Sequence, residues 1–286
     1  AYNIVQSDLI SSIIDGFGAH INTQYKPLTD SSVYEQDTIS ETFPTVKVTL
    51  PSYVVAQSSI EDPISKTTSI LNYNYKNIKV NLQGRGWLGF QQKTTENISD
   101  QDPILHTSNT IKYAQEFPLI GRITEQQQSR SHDGALLNKT SFDYGYTILP
   151  DNKKVSVVYQ KSEKNDTYSN GNYNYSQISE YSYDKDFKRL TGVYVLNKDP
   201  NNSKAKKDNY YTCIQYQDDV DKWWHAFFPT AKKIGKTPAL SCDSPWNASI
   251  DLRSYTFSYD KNRNTSKEST WNDQLNQWGA NPFCGV

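Results

Sequence analysis

Alternation is the strongest constraint on this chain. In VKVTL (46–50), LNYNY (71–75), IKVNL (78–82), NYNYS (172–176), EYSYD (180–184) and SYTFSYD (254–260), an apolar or aromatic residue stands at every second position. A period of two belongs to a β-strand, whose successive side chains leave opposite faces. Turn-forming clusters separate these runs: DGFG (15–18), EDP (61–63), DQDP (100–103), HDG (132–134), PDN (150–152), SNGN (169–172) and KDPNN (198–202). Gly, Asn and Asp accept the dihedrals of tight turns, and Pro presets one of them. Strand, turn and strand in this cadence predict an all-β protein built as an antiparallel meander. With 21 Tyr and 6 Trp against 0 Met, the apolar bulk sits in rings. Rings suit a pleated face that is packed on one side and wet at the tip.

Helical pattern is scarce. DDVDKWWHAFF (218–228) offers Asp218 as a cap, Val220, Trp224 and Phe227 as a stripe and Pro229 as a stop, yet reads equally as a buried strand. The polar stretch QKSEKNDTYSNGN (160–172) marks a hairpin tip or linker, so the chain divides softly into 1–160 and 161–286 or forms one continuous domain. Thirty basic residues against 31 acidic ones give a formal charge of −1, which leaves no electrostatic footprint for nucleic acid. No apolar run is long enough to span a membrane. The chain opens on Ala1 without a signal-peptide pattern, as a processed or excised piece would. Cys213, Cys242 and Cys284 make neither a disulfide framework nor a zinc set; a Cys213–Cys242 bridge and buried free thiols both fit.

NLQGRGWLGFQQ (81–92) contains G-x-G-x-x-G, the spacing of a dinucleotide-binding turn. That turn needs a helix after its glycines, with the helix N-terminus facing the pyrophosphate. Here the glycines run into WLGFQQKTTENIS, which has the pattern of a strand. Gly84, Gly86 and Gly89 therefore read as a tight turn or bulge with positive φ. Arg85 is expected to be pinned by carbonyls or a carboxylate, Trp87 to anchor the following strand, and Phe90 to flank it.

A second element recurs. Y-x-Y-D stands in YSYDKDFKRLTGVYV (181–195) and, as F-x-Y-D, in FSYDKNRNTSKEST (257–270), with a weaker echo in YNYKNIKVNLQGRG (73–86). The physics is a strand ending in alternating rings, an Asp that opens a turn, and a returning strand. Tyr181 and Tyr183 should share one face, as should Tyr255, Phe257 and Tyr259, with Asp184 and Asp260 opening the turns.

At these residues the chain resembles the tyrosine–aspartate (YD, or Rhs) repeat family. LISSIIDGFGAHINTQYKPLTDSSVY (9–34), PSYVVAQS (51–58), YNYKNIKVNLQGRGWLGFQQ (73–92) and YAQEFPLIGRI (113–123) resemble the middle region of insecticidal toxin-complex B components and SpvB-type virulence proteins. The resemblance implies a continuous spiral sheet, one segment of a hollow shell that encloses a toxic polypeptide. It implies no catalytic residue in this region. The D-P-x-G motif beside the family's self-cleaving aspartate is absent: Asp62-Pro63, Asp102-Pro103 and Asp199-Pro200 are followed by Ile, Ile and Asn.

Other chemistry finds no pattern. His20, His106, His132 and His225 lack H-E-x-x-H or paired spacing, no G-x-S-x-G elbow occurs, and Asp218/Asp219 reads as a solvated turn. The expected protein is a non-catalytic, secreted structural segment without cofactor or metal. Its expected partners are other segments of the same shell, a partner toxin-complex component and the enclosed toxin polypeptide. The rival is a stand-alone secreted carbohydrate-binding β module that stacks glycan on exposed Tyr and Trp. The shell reading also predicts long edge strands that pair with another chain, and no deep polar pocket with converging titratable groups.

Overall fold

A computed structural model of the chain describes residues 8–99, 105–149, 152–185, 188–199, 209–216, 228–236, 242, 251–259, 265–272 and 277–281. The described residues form strands and turns with no α-helix, so the all-β expectation holds. Residues 217–227, which hold most of the helix candidate, lie outside them, as do Asp260 and Cys284. The chain separates into two compact units, residues 1–141 with 166–173 and residues 142–165 with 174–286.

The first unit contains β1 (Ser12–Ile14), β2 (His20–Pro27), β3 (Tyr34–Glu35), β4 (Thr45–Lys47), β5 (Tyr53–Glu61), β6 (Thr68–Asn81), β7 (Gly86–Ser99), β8 (Thr107–Tyr113) and β9 (Ile123–Arg130). Two further strands, β10 (Leu136–Leu149) and β11 (Asn152–Ser169), contribute residues to both units. Antiparallel neighbours run β1–β2–β5–β6–β7–β8–β9–β10. The step from β2 to β5 skips a segment, residues 28–52, that returns to the sheet. Along one edge of β6, β5 pairs with Thr68–Asn72, β3 lies parallel at Tyr75 and Lys76, and β4 lies antiparallel at Lys79–Asn81.

That returning segment supplies three of the five buried residues of the core cluster. Leu28, Val33 and Tyr34 pack on Tyr75 and Ile78 of β6, with Phe90 of β7 and Val54 and Ala56 of β5 around them. Val33 is 1% exposed. Tyr34 and Tyr75 meet the Phe90 ring at 6.4 and 4.8 Å between centroids. Burying a side chain of this size stabilises by about 1.5–3 kcal/mol.

The second unit is a simple meander, of whose first strand residues 172–173 belong to the first unit. β12 (Asn172–Tyr183), β13 (Leu190–Lys198), β14 (Tyr210–Tyr216), β15 (Pro229–Gly235), β16 (Asp251–Tyr259), β17 (Thr265–Asn272) and β18 (Gln277–Asn281) pair antiparallel in chain order. Cys213 of β14 is bonded to Cys242, which settles the two readings of these thiols in favour of a bridge.

Candidate functional site

The glycine-rich stretch closes the β6–β7 hairpin. Asn81 faces Gly86, leaving Leu82–Arg85 as a four-residue loop. Asn81 Oδ1 accepts a hydrogen bond from Gln83 N at 2.9 Å, the side-chain mimic of a turn. Gly84, Gly86 and Gly89 have φ of +93°, +68° and +80°. Gly84 lies in the loop and Gly86 opens β7. Gly89 sits at a bulge: Lys79 faces Gly89 while Val80 faces Trp87, so β7 carries one extra residue there. A strand, not a helix, follows the glycines.

Two neighbours of these glycines differ from expectation. Trp87 does not anchor the strand; it is 55% exposed, while Leu88 is 4% exposed. The bulge shifts the side-chain alternation by one residue, so Leu88 turns inward in place of the larger ring. Phe90 continues on the buried side and joins the core. Arg85 finds an aromatic partner rather than a carboxylate: its guanidinium carbon lies 3.3 Å from the centroid of the Phe117 ring. A planar cation is attracted by the negative face of a ring at that range.

Phe117 belongs to the β8–β9 connection, and a second residue of that connection holds the hairpin's base. Gln115 donates from Nε2 to the carbonyls of Asn77 at 2.8 Å and Gly89 at 2.7 Å. Both acceptors stand where the β6–β7 ladder is irregular, since Asn77 has φ +53° and Gly89 is the bulge glycine. One buried amide thus satisfies two carbonyls. The Asn77 side chain does the rest, accepting from Asp37 N at 2.8 Å and donating to Asp37 Oδ2 at 2.7 Å and Gln91 Oε1 at 2.6 Å. Asp37 in turn pairs with Lys47, whose hydrogen bond is the main cause that holds the carboxyl below the usual carboxylate range. Tyr34 accepts from Ile78 N at 3.1 Å, and burial raises its phenol above the ordinary value. Tyr75 donates to the Val55 carbonyl at 3.1 Å and is pushed up to about 12 by burial.

The Y-x-Y-D turn has its own fixed geometry. Tyr181 and Tyr183 are half-buried on one face of β12, with Glu180 and Ser182 exposed on the other. Burial raises both phenols. Tyr183 meets Tyr159 of β11 at 5.1 Å between centroids. After Tyr183 the backbone closes through Asp184 N, which donates to Arg189 O at 3.0 Å. Arg189 Nε donates to Asp184 Oδ2, and its guanidinium lies 5.0 Å from the Tyr216 ring of β14. Tyr216 Oη donates to the Leu190 carbonyl at 3.0 Å.

In the second occurrence Tyr255 and Phe257 are half-buried and alternate with exposed Thr256 and Ser258; the Tyr259 side chain and Asp260 lie outside the described residues. The two occurrences share a register. A shift falls between Ser182 and Tyr183 against β13 and between Ser258 and Tyr259 against β17, at the same motif position.

Several residues that hold these features carry no motif of their own: Asp37, Asn77, Gln115, Arg189 and Tyr216. Arg189 is the one with a usable signal, a cation placed just before the returning strand. Among the described residues no group of three or more His, Cys, Asp or Glu is placed to hold a metal ion, and no helix is long and apolar enough to cross a membrane.

The family model of the insecticide toxin TcdB middle/N-terminal region matches residues 2–115. This stretch covers the hairpin, the returning segment and Gln115. Three solved structures share the fold. TcdB2-TccC3 without its hypervariable C-terminal region gives a TM-score of 0.64 at 10% identity over 90% of this chain. TcdB2-TccC3 gives 0.63 and TcdB2-TccC3-Cdc42 gives 0.62, each at 12% identity over 90% of this chain. The chain spans 18% of the length of each of these three. No curated protein sequence matches it. The resemblance to the middle region of toxin-complex B components, carried in the sequence by its ordered landmarks, is borne out over residues 2–115.

Proposed function

We propose that this chain is a non-catalytic wall segment of a secreted YD-repeat toxin shell, one that encloses a toxic polypeptide and helps deliver it. The observation that carries the reading is the match of fold, at a TM-score of 0.64 over 90% of the chain, to one part of a much longer toxin-complex structure. Physical features agree with a wall. Each glycine turn, bulge and ion pair described above is spent on holding strands in register, and none leaves a nucleophile beside a base. Strand edges are the natural joints of such a wall, because their unpaired N–H and C=O groups accept a further strand. The partners are then neighbouring turns of the same shell, a companion toxin-complex component and the enclosed polypeptide.

The test uses the native product that contains these residues. Co-produced with its C-terminal polypeptide, the shell should protect that polypeptide from added protease until the shell is unfolded. A panel of glycosidase, esterase, phosphatase and ADP-ribosyltransferase assays on the 286-residue chain should be blank. Immediate digestion of the polypeptide, or turnover lost on replacing a single His, Asp or Glu, would overturn the proposal.

A further inference from the structure

One face of the first unit's sheet holds a cavity for which a wall has no use. Register puts Asn72 opposite Glu96, Glu96 opposite Ser108, and Ser108 opposite Ser129, so polar side chains form a row across β6, β7, β8 and β9. Asn74 and Thr94, two residues along on the same face, form a second row. The β9–β10 turn closes the end of the first row: Gly134 N donates to Arg130 O at 3.0 Å, and Ala135 N donates to Asp133 Oδ1 at 3.0 Å. Short side chains beside a raised turn leave an open cavity of about 290 Å³. Small-molecule sites begin at roughly 300 Å³, so this one suits a single ring-sized ligand.

The lining decides the chemistry. Glu96 has no cationic partner among the described residues, whereas Asp133 holds the Arg130 guanidinium at 2.7 Å. The carboxylate therefore disfavours an anionic ligand. One carboxylate is also too few for a hard metal ion, which takes six or more oxygens. Asn72 Oδ1 is engaged by Gln57 Nε2 at 2.9 Å, which leaves its amide hydrogens to donate. The Ser108 and Ser129 hydroxyls can each donate and accept, whereas Thr94 Oγ1 is already shared with Thr110 Oγ1 at 3.1 Å.

We infer that this cavity is a subsite for one sugar residue, neutral or amino-substituted. A hydroxyl-bearing ring supplies donors to Glu96 and acceptors to the Asn and Ser groups at once. No aromatic side chain lines the cavity, so recognition rests on hydrogen bonds rather than on stacking. The inference does not depend on the wall reading.

The test titrates the full 286-residue chain with free hexoses, N-acetylhexosamines and hexosamines by saturation-transfer NMR, and applies the same chain to immobilised glycans. Saturable binding is expected with a Kd of about 1 mM, the weak affinity of a few exposed hydrogen bonds. Glu96→Gln should weaken it by about tenfold, as loss of a charged acceptor does, and Asn74→Ala should weaken it as well. Asn74 is exposed, so its variant should melt like the parent and separates loss of binding from loss of fold. Binding to immobilised glycans alone also supports the subsite and assigns it to chain ends rather than free sugar. Absence of any binding up to about 50 mM, far above the weakest Kd that would count, overturns the inference. So does binding indifferent to both variants, or Glu96-dependent capture of a lysine peptide in place of sugar.

Discussion

Glycines in this chain do two different jobs, and only one is conformational. Gly84, Gly86 and Gly89 supply positive φ. Gly192 makes room instead: a Cβ there would stand 2.4 Å from the hydroxyl of Tyr211, which lies across it from β14. Gly192→Ala should cost about 1–3 kcal/mol in urea unfolding, the usual range for overpacking, and Tyr211→Phe should recover part of that in the double variant. The Asp of the Y-x-Y-D motif is likewise more than a turn opener. Asp184 and Arg189 are 18% and 9% exposed, and the Arg189 guanidinium is stacked on Tyr216. Asp184→Asn keeps the side chain's shape but removes the negative charge that faces Arg189 Nε. The expected loss is about 3 kcal/mol by thermal or urea unfolding, the scale for breaking a buried pair from one side.

At the scale of elements, the returning segment 28–52 depends on polar joints as much as on its apolar contacts. Gln115 serves two carbonyls at once, so Gln115→Ala should cost about 2 kcal/mol and loosen the ladder at both positions, seen as faster amide exchange around Asn77 and Gly89. The Asp37–Lys47 joint also gives the segment a pH dependence. Asp37 is more acidic in the folded state than in the unfolded chain, where a carboxyl titrates near about 3.9. A depressed carboxylate contributes stability that is present above the unfolded value and lost as pH falls through the folded one. Amide exchange of Asp37 and its neighbours should therefore rise below about pH 4 before the rest of the sheet responds. Unchanged protection of that segment down to global acid unfolding would show that the joint carries nothing.

For the whole molecule, the disulfide is the longest covalent tie. Cys213 and Cys242 are 29 residues apart, with Cα atoms separated by 5.8 Å. Closing a loop of that length in the unfolded chain stabilises the folded one by about 3.5 kcal/mol on the chain-entropy model. Reduction with a strong thiol should lower the urea midpoint of the second unit by a corresponding amount and leave the first unit's transition in place. Equal loss in both transitions would show that the two units unfold as one.

Period-two patterning and turn chemistry, read on the sequence by itself, determined that the chain is all-β, that DGFG, EDP, HDG and SNGN fall at turns, and which rings of a strand share a face. It could do so because alternation and turn chemistry are local: Tyr181 and Tyr183 must point the same way whatever packs on them. The family resemblance was legible for a related reason, since the landmarks recur as short strand–turn units. Only the tertiary structure decided which face of each strand is covered and where the pleat slips. Trp87 is wet and Leu88 dry because a bulge at Gly89 moves the alternation by one residue. That bulge is held by Gln115 from a connection 26 residues away. Arg85 rests on Phe117 and Arg189 on Tyr216 for the same reason. Which ring a cation meets is set by the strand or connection that the fold brings beside it, and that neighbour is not written in the residues around the cation.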